Sequence, residues 1–508
     1  MKRTSLNAAV AASLIAAASL ADSAHALELS PDGTGQVLIY PYYTVNKGQQ
    51  TIISVVNGSS VAKAVRIRFL EGYNAREVLD FNLFLSEFDV WSGTVFALSD
   101  AGLPGDGAAV FTTDNSCTQP NKDQWTGSLG ARRPYQAFRS LAYTGAHEDS
   151  GPTDIARTRE GHIELLQMAD LSGSLRMAVT HNAAGVPANC NVVQSIDPAN
   201  SLLLPPTGGL FGAAGIVNVA QGTFHGYNAD AIGGFSKIPL YSANGSPTPS
   251  LAQANTAPGV ATAYVFDAAG ELFRSVYPTS GQPSQAIDAV SAVFMSSTLL
   301  NEYNVDRTVG SNTDWVVMFP TKRFYVDTEI LGLPLGSAGA LPPFTYTFGQ
   351  RAESNGSVVN GGARSCSWVG LTPFDREEGR PNSAPPGFPV PVALPPALCT
   401  SVNVISMLNA SSTTPPTESG VLGSRLITNL RPFAAAGWLR IALDLPSQPH
   451  ALRASSDADV YSGLPATGFQ VVNYINADTA PGVLSNYSGT FRHRAIRACT
   501  NARLGSCP

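Results

Sequence analysis

Charge is what this chain has least of. Only 13% of its 508 residues are Asp, Glu, Lys or Arg, about half the roughly 25% of an ordinary globular chain. Disorder needs high charge and few apolar residues, and the 44% hydrophobic content excludes it for the chain as a whole. A basic excess is also missing, with 31 Lys and Arg against 37 Asp and Glu. No nucleic-acid partner is therefore expected. The Glu-, Lys- and Leu-rich composition of coiled coils does not occur either. Past the first residues there is no run of apolar residues long enough for a spanning helix, so no transmembrane segment is expected in the mature chain.

Chemical fingerprints are equally scarce. Gly-x-Ser-x-Gly, which would expose a nucleophilic serine on a sharp turn, is absent. So are His-Glu-x-x-His, the phosphate-binding loop and the dinucleotide fingerprint. Gly208, Gly209, Gly212 and Gly215 have the wrong spacing to cradle a pyrophosphate. There is no Cys-x-x-Cys, and no histidine stands at zinc-site spacing. No cofactor and no metal is expected.

What is present begins with a leader. Lys2 and Arg3 precede an Ala-rich apolar stretch over residues 6–20, and Ala24-His25-Ala26 offers small residues where a signal peptidase reads. This pattern predicts a signal peptide over residues 1–26. The six cysteines, Cys117, Cys190, Cys366, Cys399, Cys499 and Cys507, all follow it. An even count in an exported chain predicts disulfides, with 15 possible connectivities. Spacing favours neighbours: Cys117–Cys190, Cys366–Cys399 and Cys499–Cys507.

The body of the chain reads as strands. Val65, Ile67 and Phe69 alternate with Arg66 and Arg68, and Leu79, Phe81 and Leu83 alternate with Asp80 and Asn82. Period two predicts one buried and one solvated face. Short strands separated by Gly, Asn, Ser and Pro predict a mainly β chain of antiparallel, immunoglobulin-like β-sandwich domains with long loops and few short helices. An outer-membrane barrel fits less well, because most runs are shorter than the 9–11 residues of a spanning strand.

Residues 116–158 read as an insertion, with residues 135–143 a candidate helix. Residues 175–180 read as a strand. Residues 210–219 and 222–227 read as a hairpin, residues 242–259 as an exposed loop, and residues 287–303 as the one substantial helix. Residues 315–319 and 323–326 read as another hairpin, and residues 376–396 as a Pro-rich, polyproline-like loop. The size exceeds one hydrophobic core. The expected division is an N-terminal sandwich over residues 27–205, a middle β-rich region over 206–340 and a C-terminal β-rich domain over 341–508.

Candidate chemistry is thin. His162 and Glu164 fall on one face of a strand, where two metal ligands would meet, but no third ligand is identifiable. His225, beside Phe224 and Tyr227, is a candidate general base. Glu302 and Asp314 are a candidate carboxylate pair for glycoside cleavage. For each the structural reading is favoured: a polar face, a sheet-edge histidine, and carboxylates of the kind any long chain contains. Asp457-Ala458-Asp459 lacks the rest of a calcium loop, and Tyr40-Pro41-Tyr42-Tyr43 reads as core.

The segments VLIYPYYTVN, ISVVN and RFLEGYNAREVLDFNLFLS within residues 36–86 resemble an uncharacterised family of exported proteins of Gram-negative bacteria. AQGTFHGYNADAI at 220–232 and TDWVVMFPTKRFYVD at 313–327 resemble it as well. The resemblance implies export and a β-rich architecture, and carries no activity.

These readings make the chain a secreted or cell-surface structural or adhesive protein. Its expected partners are further copies of itself or components of the cell envelope, because low charge favours association. The alternatives are an extracellular hydrolase of a polymer such as polysaccharide, acting through a loop-built cleft, and a periplasmic binding module. The absence of catalytic motifs points away from an enzyme without excluding one.

Overall fold

The structure is a computed structural model. It describes residues 26–130, 133–266, 270–280, 286–352, 358–360, 362, 364–379, 396–408, 416–454, 458–476, 482–483 and 485–501. The leader before Ala26, most of the Pro-rich stretch, Asp457 and Cys507 lie outside the described residues. The described chain is mainly β, in antiparallel sheets packed face to face.

The N-terminal half is built from β1 (Glu28–Leu29), β2 (Val37–Thr44), β3 (Gln50–Asn57), β4 (Lys63–Glu71), β5 (Glu77–Leu85), β6 (Val90–Ala97), β7 (Ala108–Phe111) and β8 (Cys117–Gln119). After them come β9 (Gly127–Ser128), β10 (Pro134–Ala137), β11 (Glu160–Leu171), β12 (Leu203–Leu204), β13 (Leu210–Asn218), β14 (Thr223–Asn228) and β15 (Asp230–Gly233). One sheet runs β1-β15-β2-β11-β4-β5-β8, with β12 beside β11; the other runs β14-β13-β3-β6-β7-β10-β9.

Alternation decides what lies between them. Val65, Ile67 and Phe69 of β4, Ile163 and Leu165 of β11, and Trp91 and Val95 of β6 share one core. The opposite face of the first sheet is covered too. Val37, Ile39, Tyr42 and Leu166 belong to a second core with Trp315, Val404, Phe469 and a buried helix at Ala286–Phe294. β2, β4 and β11 are buried along their whole length. Close approach sets one glycine: a Cβ on Gly161 would lie 1.9 Å from the Leu70 carbonyl oxygen of β4.

Arg66 and Arg68, expected to be solvated, are therefore buried. Period two fixes which side chains share a face, not what covers that face. Residues 242–248 lie over it and supply carbonyls: Arg66 Nη2 donates to Ala243 O at 2.9 Å and Thr248 O at 3.1 Å. Arg66 also pairs with Asp80, and Arg68 pairs with Glu77 at 2.6 Å and Glu164 at 3.3 Å. Part of the expected exposed loop is thus a polar cover.

In the C-terminal half, Ser311–Met318 lies between Val402–Met407 and Thr467–Tyr474. Tyr487–Arg492 adds one edge, and Ile427–Leu430 adds the other in parallel. A smaller sheet pairs Thr298–Asn304 with Ala436–Ala442 and Arg494–Ile496.

Four local expectations change. Residues 175–180 belong to a helix, Gly173–Val179, whose buried Leu175, Ala178 and Val179 have helical rather than alternating spacing. The long helix over 287–303 is a helix only at Ala286–Phe294; the Ser- and Thr-containing remainder becomes strand Thr298–Asn304. Arg323–Val326 is a short helix rather than the second arm of a hairpin. Residues 135–143 hold β10 and a single 3-10 turn at Leu141–Tyr143.

The 205/206 division falls inside the first sandwich, because β13 pairs with β3 and β15 pairs with β2. One apolar core also runs from Leu27 to Val471. Buried polar groups join the halves: Arg76 Nη2 meets Asp327 at 2.6 Å, and Glu160 accepts from Ser424 Oγ at 2.6 Å and Arg425 N at 2.9 Å. Cys117–Cys190 and Cys366–Cys399 are disulfides, as their spacing predicts. The expected partner of Cys499 is outside the described residues. Among the described residues no helix is long and apolar enough to cross a membrane.

Candidate functional site: a charge-free sheet face and its cleft

Low overall charge becomes extreme in one place. No strand of the seven-stranded sheet carries a Lys, Arg, Asp or Glu at any position. Its inner face closes the N-terminal core. Its outer face is Val90, Val56 and Phe211 in one cross-strand row, and Thr94, Ile52, Gly215 and Gly226 in another. Several of these are open to solvent: Val90 is 52% exposed, Ile52 43%, Phe211 42% and Phe224 58%. Scattered surface apolar residues are ordinary; here four of them stand on a single uncharged sheet face.

Glycines shape this face. The Phe224 ring lies across β13 and β14, and a Cβ on Gly215 or Gly226 would come within 2.3 or 2.8 Å of ring atoms. Only glycine at both positions lets the ring lie flat.

At the β13–β14 edge the sheet borders a cleft of about 570 Å³, closed on its far side by Thr467–Phe469, Thr490 and Arg492. That volume is in the range of a small-molecule pocket. Its walls combine the Phe224 ring, Ile52 and the Tyr227–Phe469 stack, whose centroids are 4.5 Å apart. Its polar element is Asp230, which accepts from Thr467 Oγ1 and pairs with the exposed guanidinium of Arg492. Burial raises the Asp230 carboxyl pKa, and Arg492 and Thr467 counteract that rise.

None of the candidates named from sequence lines this cleft. His225 is on β14 but turns to its inner side and is buried. Desolvation lowers its pKa to about 4, so the ring stays neutral at physiological pH. His162 and Glu164 do share a face of β11, with Nε2 and Oε1 3.8 Å apart. Glu164 is engaged by Arg68, and both His162 ring nitrogens lack a hydrogen-bond partner. Among the described residues no group of three or more His, Cys, Asp or Glu is placed to hold a metal.

Glu302 and Asp314 do not form a pair facing a common space. Asp314 is fully buried and accepts from Val421 N at 2.9 Å and Leu422 N at 2.8 Å, which fixes that turn. Its carboxyl is raised by burial. Glu302 is an exposed residue of the neighbouring sheet, opposite Trp438. Tyr40, Tyr42 and Tyr43 are core, as expected. The sequence did hold a signal for the neutral face, since every strand of that sheet is uncharged, but the strands are dispersed over residues 50–228 and only pairing unites them.

Comparison with protein-family models, with curated proteins and with solved structures finds no match to this chain.

Proposed function

We propose that this chain is an exported envelope protein of structural or adhesive role, related to the uncharacterised exported proteins it resembles, which associates with a second copy of itself through the outer face of the seven-stranded sheet. The observation that carries the reading is the complete absence of charge from that sheet, with Val90, Ile52, Phe211 and Phe224 open to solvent. A two-fold contact places the same patch on both partners. An uncharged patch meets its own copy without burying an unpaired ion, the costly event at most interfaces.

Two disulfides favour an oxidising compartment. The carboxylates considered for hydrolysis do not act as a pair: Asp314 is buried with its Oδ2 holding two backbone N–H groups, and Glu302 stands apart on the surface.

The test is sedimentation of the purified mature chain, with Ile52→Asp/Phe211→Asp as the comparison. The expected result is a concentration-dependent dimer that the double variant converts to monomer at unchanged melting temperature. A wild-type chain that remains monomeric at every concentration overturns the reading. Protease treatment of intact producing cells tests the location: surface digestion is expected, and protection until the outer membrane is opened counts against the cell-surface assignment. A second reading, a periplasmic binding module, is favoured by the cleft beside Asp230 and predicts a ligand-dependent rise in melting temperature.

A further inference from the structure

Arg497 stands just beyond the edge strand Arg494–Ile496, at the end of the basic segment that begins at Arg492. Its guanidinium is poorly served. Nη1 reaches Phe266 O and Nη2 reaches Val293 O, each at 3.4 Å, and Nε has no partner. A guanidinium has five N–H donors in a planar fork, and its best acceptor is a carboxylate bound through two parallel hydrogen bonds. Arg66, Arg68, Arg76 and Arg157 each have such an anionic partner. Arg497 has none among the described residues; Asp230, the acid whose field reaches it, is already taken by Arg492.

The space beside this cation is apolar. Leu29 and Pro31, Tyr264, Val265 and Phe266, and Val293 of the buried helix enclose a slot of about 350 Å³ with Arg497. Slots of this size are at the lower end of ligand pockets, which run about 300–1,000 Å³. Mostly apolar walls disfavour a sugar or a polar peptide, most of whose hydroxyls or amides would be left unpaired. A cation at the end of a mostly apolar slot matches a molecule that is apolar along its length and anionic at one end.

We propose that this slot binds a straight aliphatic chain ending in a carboxylate, with the carboxylate on the Arg497 guanidinium and the chain between Leu29, Val265 and Val293. The site is separate from the neutral sheet face and does not depend on the self-association reading. Burial disfavours the charged guanidinium, and an incoming carboxylate compensates that cost at a position where no described residue supplies an anion.

The test is calorimetric titration of the purified mature chain with sodium decanoate, below the concentration at which it aggregates. Decyltrimethylammonium and decyl phosphate are run beside it. Saturable one-site binding of decanoate is expected, with decyltrimethylammonium at least about tenfold weaker, which is roughly 1.4 kcal/mol. Arg497→Gln is expected to weaken decanoate by about tenfold. Phe266→Glu places a repelling carboxylate at the exposed mouth and is expected to weaken it similarly, so the proposal stays testable if the first variant fails to fold. Absence of decanoate binding, equal binding of the cationic amphiphile, tighter binding of decyl phosphate, or unchanged affinity in either folded variant overturns the proposal.

Discussion

Substituting Asp288 by Asn makes a sharp test of how burial governs charge in this fold. Asp288 lies in the first turn of the buried helix Ala286–Phe294, where its Oδ1 accepts from Tyr325 Oη at 2.6 Å. Tyr325 Oη and Ser291 Oγ are 2.7 Å apart, within the same polar cluster. Desolvation raises the Asp288 carboxyl from 3.8 to about 6, and the Tyr325 hydrogen bond only partly offsets it. A folded value above the unfolded one means that the native state holds its proton longer. Stability from this group is therefore fully present at acid pH and is lost as pH rises from about 4 through about 6. At pH 7.5 the native state carries an ionisation cost of about 3 kcal/mol, against less than about 1 kcal/mol at pH 4. Asn keeps the shape and the acceptor without the charge. The Asp288→Asn minus wild-type difference in unfolding free energy should thus be about 2 kcal/mol more favourable at pH 7.5 than at pH 4. Any constant effect of the amide cancels between the two pH values. Urea unfolding at both pH values measures it, and a pH-independent difference refutes the reasoning.

Lys322 should show the opposite sign. Burial lowers it to about 7, and it donates to Ser365 O at 2.6 Å with no carboxylate partner among the described residues. Wild-type stability should rise as pH climbs from about 7 toward the free lysine value of about 10.4, and Lys322→Met should abolish that rise in urea titrations. Asp327→Asn should cost about 3–5 kcal/mol in the same assay, because Arg76 and Arg323 both lose a buried charged partner. Replacing Cys117 and Cys190 by serine removes a link spanning 73 residues; the expected loss is about 4 kcal/mol, read against the wild type with and without reductant.

The strand pattern around residues 63–85 was legible because alternation there is clear. Val65, Ile67 and Phe69 face the core as their period demands. What alternation does not carry is the environment of the other face, so Arg66 and Arg68 read as solvated while residues 242–248 cover them. Short apolar runs were the second source of error. Leu175, Ala178 and Val179, like Phe324 to Val326, are as compatible with a turn of helix as with a strand, and only their packing decides. Two disulfides followed from spacing because each closes within one half of the chain. The candidate site was less legible than the fold. His162, Glu164 and Asp314 attract attention as chemical residue types, and all three are buried among partners or apolar neighbours. Ile52, Phe211 and Phe224 attract none, and they define the exposed neutral face.

The doubly covered sheet also imposes an order of events on a growing chain. β2, β4 and β11 are complete once Leu171 has been added, and their inner face closes with β13 and β14. The cover for Val37, Ile39, Tyr42 and Leu166 begins with Ile232, Phe235 and Leu251 but is completed only by the helix at Ala286–Phe294, the strand Val402–Met407 and finally Phe469 and Val471. A chain that folds its first half as it emerges carries an incompletely covered apolar surface until almost its last residues appear, and such surfaces aggregate. Productive folding therefore requires either that the first half be kept unfolded until release or that its uncovered face be shielded in the interval. Truncation before Thr467 should leave a chain that is sticky rather than stable.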